Sequence, residues 1–350
     1  MAAARPRVLI VGAGVTGLMA AVRFARAGWP VSVLDRGRIP NPSGASFDQH
    51  RVIRALAPSD PVATRRAAAL RARWLALESL LDAAFYRRIG AVTAVPEDQV
   101  EAAMDAARAA GLDVSLVVPG AMPLVRFPAG ALGVLEHDGG VLMADRVLHA
   151  AVRWLSRRPD VQLRPGHEVR AVDPEYGRVT LAGGVVLSAD VVLIATGPWS
   201  RELVDVPMVL HRQTMVYLRP PADLVPRWDH APAVGGVGRD GRAWLAPPGQ
   251  GSLLKISSDA VCRDVPSFEY APPDDARIWT SRLLREPILT DAYRYTFVAA
   301  KQCHYVTDAV SGGASLIRLG PNVWSRTAAG GDGFRTAPLA AERIAEAMAA

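Results

Sequence analysis

Three sets of residues in this chain have types and spacings that can carry chemistry. The first is Gly12-Ala13-Gly14-Val15-Thr16-Gly17, a G-x-G-x-x-G. At this spacing Gly12 permits a tight turn, Gly14 lets backbone approach a pyrophosphate, and Gly17 lets a helix pack on the preceding strand. Asp35 lies 23 positions after Gly12, where a carboxylate can accept hydrogen bonds from an adenosine ribose. The chemistry is dinucleotide binding. The second set is the lysines. Only Lys255 and Lys301 occur, against 38 arginines. A lysine in such a chain marks a place where a compact ammonium does what a forked guanidinium does not. The third set is the cysteines, Cys262 and Cys303, too few for a disulfide scaffold. Two separate sulfurs are expected. The seven histidines are dispersed, with no Cys-x-x-Cys or His-x-x-x-His spacing, so no metal site is expected.

The elements that must position these residues follow from periodicity. Val8-Leu9-Ile10-Val11 is wholly apolar, as a parallel strand buried on both faces must be. A helix from Val15 to about Ala27 and a second strand, Val31-Ser32-Val33-Leu34, complete the unit around the glycines. Helices are predicted over Asp60–Phe85, Glu97–Ala110, Ala144–Ser156 and Pro338–Met348. Another buried strand, Val191–Ala195, runs into Thr196-Gly197-Pro198-Trp199. Strands at Gln213–Leu218, Arg242–Leu245 and Ser252–Ser257 alternate with proline-rich loops, and the last 45 residues read as glycine-rich turns before the final helix. The two kinds of segment interleave, so the domains are expected to be discontinuous: 1–85, 140–206 and 306–350 forming one, 86–139 and 207–305 the other.

Composition narrows the class. The chain has 350 residues, 50% hydrophobic and 21% charged, which excludes disorder as the dominant state. Its net charge is +6, but the arginines come in ones and twos, as at Arg65-Arg66 and Arg157-Arg158, without interleaved aromatics. Nucleic acid is therefore not expected, whereas anionic cofactors or carboxylate substrates are. No apolar run approaches the roughly 18 residues needed to cross a membrane. Met1 to Arg7 before the first strand is read as an uncleaved N-terminus of a cytoplasmic protein, since cleavage after that strand would destroy the glycine loop.

Further segments carry a family resemblance. Gly44-Ala45-Ser46-Phe47-Asp48-Gln49-His50-Arg51-Val52-Ile53-Arg54 ends in R-x-x-R, and Ala189-Asp190-Val191-Val192-Leu193-Ile194-Ala195-Thr196-Gly197-Pro198-Trp199-Ser200 follows later. Gly139-Gly140-Val141-Leu142, Pro207 before Arg212-Gln213, Leu254-Lys255, Cys303-His304-Tyr305 and Gly331-Asp332-Gly333-Phe334-Arg335 fall in the same order. Together they resemble the flavin-dependent amine and amino-acid oxidases of the glycine oxidase and D-amino acid oxidase superfamily, most nearly the monomeric sarcosine oxidase branch. The resemblance covers nearly the whole chain. It implies an α/β fold: a Rossmann-like FAD domain of the glutathione-reductase type, interwoven with an α+β substrate domain whose mixed sheet covers the flavin.

It also implies roles. FAD would be held by Gly12, Gly14, Val15, Thr16, Gly17, Asp35, Arg36, Ser46, Arg51, Val169, Thr196, Gly197, Trp199, Gly331, Gly333, Phe334 and Arg335, with Cys303 forming a thioether to it. Lys255 matches the lysine that activates oxygen near flavin N5, and a fixed ammonium stabilises the superoxide formed by one-electron transfer. Arg54 and Arg335 match the basic pair that clamps a substrate carboxylate. Trp244 stands where the sarcosine oxidases have tyrosine, Asp259 where they have histidine, and with Tyr305 they complete the reacting end. The stretch from Asp308 to Gly320 lacks the family's D-x-x-P-x-I-G. An acid and an aromatic wall suit a larger or cyclic secondary amine better than sarcosine itself. The implied reaction oxidises a C–N bond to an imine while O2 becomes H2O2, in a monomer or homodimer. Two other readings stay open. Gly331 to Pro338 mimics a segment of hydroxybenzoate hydroxylase-type monooxygenases, although Thr196-Gly197 replaces their D-G. A non-catalytic FAD-binding subunit is the other.

Overall fold

The computed structural model describes residues 5–349; Met1 to Ala4 of the expected N-terminal segment lie outside them. The first strand, Val8–Val11, pairs in parallel with Val31–Leu34 on one side and Val191–Ile194 on the other. Val161–Arg164 extends the sheet beyond Val31–Leu34, and Val323–Ala328 and Ser315–Gly320 extend the other edge to make six strands. All four residues of Val8–Val11 are buried. The cause is a layer on each face. Val8, Ile10, Val31, Val33, Val191 and Leu193 point into a core shared with the helices Val15–Arg26, Ala144–Ser156 and Ala337–Ala349. Leu9, Val11, Leu34, Val192 and Ile194 point the other way, against Val169 and Val179 of a small antiparallel sheet. Period-two side chains thus feed two apolar layers, which is why no polar residue interrupts the strand.

The second large sheet has eight strands, in the order Thr296–Asp308, Met208–Arg219, Leu254–Asp264, Ala243–Ala246, Ala233–Val237, Ala91–Pro96, Ala131–Glu136 and Val114–Val117. Its two faces differ. Val216, Leu218, Leu254, Ile256, Leu245, Val234 and Val92 bury into an apolar core with Trp228 and Leu283. The intervening residues Tyr217, Lys255, Ser257, Trp244, Gly235 and Thr93 therefore share the opposite face. A three-stranded sheet of Arg51–Ile53, Gly140–Leu142 and Tyr86–Arg88 carries the segment leading to Arg54.

The mixed α/β class agrees with expectation, and several elements differ. The long helix is Pro61–Leu81 and stops at Asp82, whose φ of 49° is left-handed. The helix expected from Glu97 begins with one 3₁₀ turn and is α-helical only over Val100–Ala109. The 13-residue strand Thr296–Asp308 was not anticipated. It is an edge strand, solvent-exposed from Thr296 to Ala300, so it never develops an apolar alternation. Strands Ala233–Val237, Ser315–Gly320 and Val323–Ala328 and the helix Asp275–Leu284 also lie where loops or turns were expected. Glycine and proline density hid them: Ala233–Val237 contains Gly235-Gly236 yet pairs on both sides.

Candidate functional site

A cleft of about 1360 Å³, counting its open mouth, runs from the glycine loop to the front of the eight-stranded sheet. Its walls include Gly12, Gly14, Val15 and Thr16 of the loop, Asp35, Arg36 and Ser46 behind them, and Val169, Thr196, Gly197 and Trp199 along one side. Toward the sheet it reaches Arg51, Cys303, Tyr305, Gly331, Gly333 and Phe334. Gly17 lies beneath the loop instead, and Arg54, Arg335, Lys255, Asp259 and Trp244 lie outside the cleft walls. His167 and Glu202 line it without having been anticipated, because neither belongs to a motif.

The loop is built as the spacing requires. Gly12 has φ +103°, and a Cβ there would sit 2.5 Å from the Ala195 carbonyl oxygen. A Cβ on Gly17 would meet the Gly12 carbonyl oxygen at 1.9 Å. The Val15 N–H donates to Ser46 Oγ at 2.9 Å. No acidic residue occupies the first turn of Val15–Arg26, so the partial positive charge of this helix end is left for an anion. Asp35 also works within the loop: its carboxylate accepts from Ala13 N at 3.0 Å, Gly37 N at 2.9 Å and Asn41 Nδ2 at 2.9 Å. Gly12→Ala is expected to yield folded protein with little bound flavin, because left-handed strain and overlap cost roughly 1–3 kcal/mol each. The flavin-to-protein absorbance ratio after purification checks this.

At the other end, strand register gathers the remaining residues. Lys255 faces Tyr217 across one neighbour and Ala246 across the other. Trp244 pairs with Ser257 and with Gly235, and Gly235 pairs with Thr93. The Arg54 guanidinium lies over Gly235, where a Cβ would be 3.6 Å from its Cζ. Lys255 is 1% exposed, and its Nζ donates to Asp48 Oδ2 at 2.6 Å and to the His50 carbonyl oxygen at 3.1 Å. The Trp244 ring centre is 5.5 Å from Nζ. Asp48 also accepts from Tyr217 Oη at 2.7 Å and from Arg51 Nη1. Burial opposes the Asp48 charge, but Lys255 and Arg51 together hold its carboxyl far below the usual range. Burial and the nearby Arg51 pull Lys255 down to about 8, with Asp48 resisting. His50 is pulled down to about 3 by burial and Lys255, so its imidazole is neutral. Asp48 was not singled out from the sequence. The sequence offered only an acid three residues before Arg51, with nothing to tie it to Lys255.

The two arginines expected to clamp a carboxylate are brought together. Arg335 Nη1 donates to the Arg54 carbonyl oxygen at 2.8 Å, and Nη2 pairs with Asp332. Arg335 Nε is buried without a partner. Arg54 spends only Nη1 on protein, at Leu56 O (2.9 Å) and Thr93 Oγ1 (3.1 Å); its Nε and Nη2 have no protein acceptor among the described residues. Burial and then the Arg335 charge push Arg54 below the ordinary guanidinium value. A bound anion relieves that repulsion. Trp74 fixes the pair from behind, donating to the Arg335 carbonyl at 2.9 Å and stacking on Phe334 at 5.8 Å. Buried Glu136 accepts from Ala55 N at 2.7 Å and Leu56 N at 3.2 Å, shaping the turn that holds Arg54. Asp259 is solvent-accessible, and enough protein surrounds its carboxyl to push it upward against the attraction of Arg242 and Arg54.

Tyr305 stacks on His211 at 4.8 Å, and its hydroxyl lies 3.2 Å from Cys262 Sγ. Cys262 and Cys303 face Gln213 from opposite sides. Two strand spacings separate them by roughly 10 Å, beyond the reach of a disulfide, and both are free. Lys301 donates to the Phe47 carbonyl oxygen at 2.5 Å, tying the edge strand to the segment before Asp48. Among the described residues there is no cluster of metal-binding side chains and no helix long and apolar enough to cross a membrane.

A glycine loop at a bare helix end, opening into a cleft that reaches the edge strand of a mixed sheet, is the geometry of a dinucleotide-binding protein. Residues 7–347 match the FAD dependent oxidoreductase (DAO) family, and the chain belongs to it. FAD is its cofactor. The chain is 24% identical over 230 residues to the peroxisomal sarcosine oxidase of Mus musculus, a match covering 60% of this chain and 56% of that protein. It is 23% identical over 222 residues to the monomeric sarcosine oxidase of Bacillus sp. (strain B-0618), covering 59% and 56%. The chain thus spans little more than half the length of the curated relatives it matches. Among solved structures, fructosyl amine: oxygen oxidoreductase (Amadoriase I) from Aspergillus fumigatus superposes with a TM-score of 0.75 at 18% identity, over 100% of this chain and 87% of that one. NikD, an unusual amino acid oxidase essential for nikkomycin biosynthesis, gives 0.78 at 18%, over 98% and 94%.

Proposed function

We propose that this protein oxidises the C–N bond of a secondary or cyclic amine bearing a carboxylate, forming an imine and reducing O2 to H2O2. The substrate loses two electrons and two protons, and oxygen takes up both. When bound, FAD supplies the two-electron relay between them. The observation that carries the reading is the pair of neighbouring guanidinium groups in which Arg54 Nε and Nη2 and the buried Arg335 Nε have no acceptor among the described residues. Such a fork orients a carboxylate and so aims the neighbouring C–N bond. The names of the relatives and structural neighbours, sarcosine oxidases, a fructosyl amine: oxygen oxidoreductase and an amino acid oxidase, support it. Trp244 gives the site an aromatic wall, and Asp259 stands close enough to Arg54 for their charges to interact. Lys255, the buried ammonium, is assigned to oxygen reduction.

Cys303 is assigned as the flavin's covalent anchor. It lines the cleft, and its Sγ makes only a 4.0 Å contact to the His304 carbonyl oxygen. Acid precipitation is expected to leave yellow colour in the pellet, and Cys303→Ala to release it to the supernatant. Peroxide release with sarcosine, proline, pipecolate and larger secondary amino acids tests the activity. Amine-dependent peroxide formation supports the proposal. Oxygen uptake that needs NAD(P)H and no amine would sink it in favour of a monooxygenase. Turnover only with a partner protein would sink it in favour of a subunit role.

A further inference from the structure

Lys255 and Asp48 form an ion pair whose side chains are 1% and 2% exposed. Two hydrogens of the ammonium are spent, on Asp48 Oδ2 and the His50 carbonyl. Asp48 is itself fixed by Tyr217 Oη and the Gln49 N–H, so it is an anchored anion rather than a swinging one. The charged and titratable groups around the ammonium are Asp48, neutral His50 and Arg51 from the segment leading into Arg51–Ile53, Tyr217 from the adjacent strand, and Cys303 one strand further. The Trp244 ring centre lies 5.5 Å from the ammonium. Asp48 is the acid touching this ammonium, and it also faces Arg51, so two cations share one anion.

We propose that Asp48 is a positioning residue that keeps Lys255 protonated and aimed for oxygen reduction. This rests on the oxygen-reducing role proposed above for Lys255. Without the carboxylate, a buried amine beside Arg51 releases its proton, and a neutral amine cannot stabilise superoxide.

Asp48→Asn tests it with FAD-loaded protein, reduced by dithionite without oxygen and then mixed with oxygenated buffer. In the parent, reoxidation is expected to slow as pH rises through about 8. In Asp48→Asn the same decline should appear roughly one to three pH units lower. Acidification should restore the rate. A second readout is independent of turnover. A lysine with a depressed folded value makes the unfolded chain bind more protons, so stability rises with pH between the folded and unfolded values. The melting temperature of Asp48→Asn should therefore climb with pH over a wider window than the parent's. An unmoved decline, or slowing that acid does not reverse, overturns the proposal. If Asp48→Asn holds no flavin, the double variant Asp48→Asn/Lys255→Met, which removes both charges, replaces it. It should reoxidise no more slowly than Lys255→Met alone, and additional slowing overturns the proposal. Unimpaired reoxidation in Lys255→Met would instead remove the underlying role of Lys255.

Discussion

Replacing Lys255 with methionine is expected to slow reoxidation of the reduced flavin by O2 by about 10²–10³-fold, the cost of removing one preorganised charge from a developing anion. Anaerobic reduction by substrate should change only a few-fold. The asymmetry follows from where charge appears. Oxidation of the amine passes through no superoxide, whereas electron transfer to oxygen does. Methionine fills the volume with a flexible apolar chain, and Asp48 keeps Arg51 and Tyr217 as partners, so the fold should survive. With a folded value of about 8, the ammonium is present below that pH and lost above it, so the oxygen step of the parent should weaken on the alkaline side. Stopped-flow measurement of the two half-reactions separately, across pH, checks both statements. Equal slowing of both half-reactions would remove Lys255 from this role.

Arg54→Gln is the second large effect. One charge-assisted hydrogen bond to a carboxylate is worth about 1.5–3 kcal/mol, so kcat/KM for a carboxylated amine should fall about 10–100-fold. The same amine without its carboxylate should be almost indifferent to the change. The fold should be unharmed, because Arg335 bonds to the Arg54 backbone oxygen rather than its side chain, and removing one guanidinium relieves the repulsion between the two. A lowered melting temperature would point to a structural role for Arg54 instead. Steady-state kinetics on the carboxylated and decarboxylated pair decide between them.

The dinucleotide half was legible because its physics is local. A buried strand, a glycine turn and a helix end lie within 20 residues, and each glycine has a steric reason visible from spacing alone. The FAD dependence and the mixed α/β fold followed from motifs strung along the chain. The Asp48–Lys255 pair was not legible, because its partners are 207 residues apart and meet only through strand order. The edge strand Thr296–Asp308 was hidden for a different reason. Its pattern is set by solvent on its exposed end and by the cleft on Cys303 and Tyr305, and neither demand produces alternating apolar residues.

The latch between Arg335 and the Arg54 backbone joins positions 281 apart in sequence. Its consequence is temporal. Synthesis from the N-terminus completes every strand of the eight-stranded sheet by Asp308, yet at that moment only one arm of the proposed clamp exists. The other arrives with the segment that Trp74 seizes just ahead of the Ala337–Ala349 helix. The proposed grip on a carboxylate would thus be acquired after the platform beneath it, and a chain released before Arg335 would lack one of its two arginines.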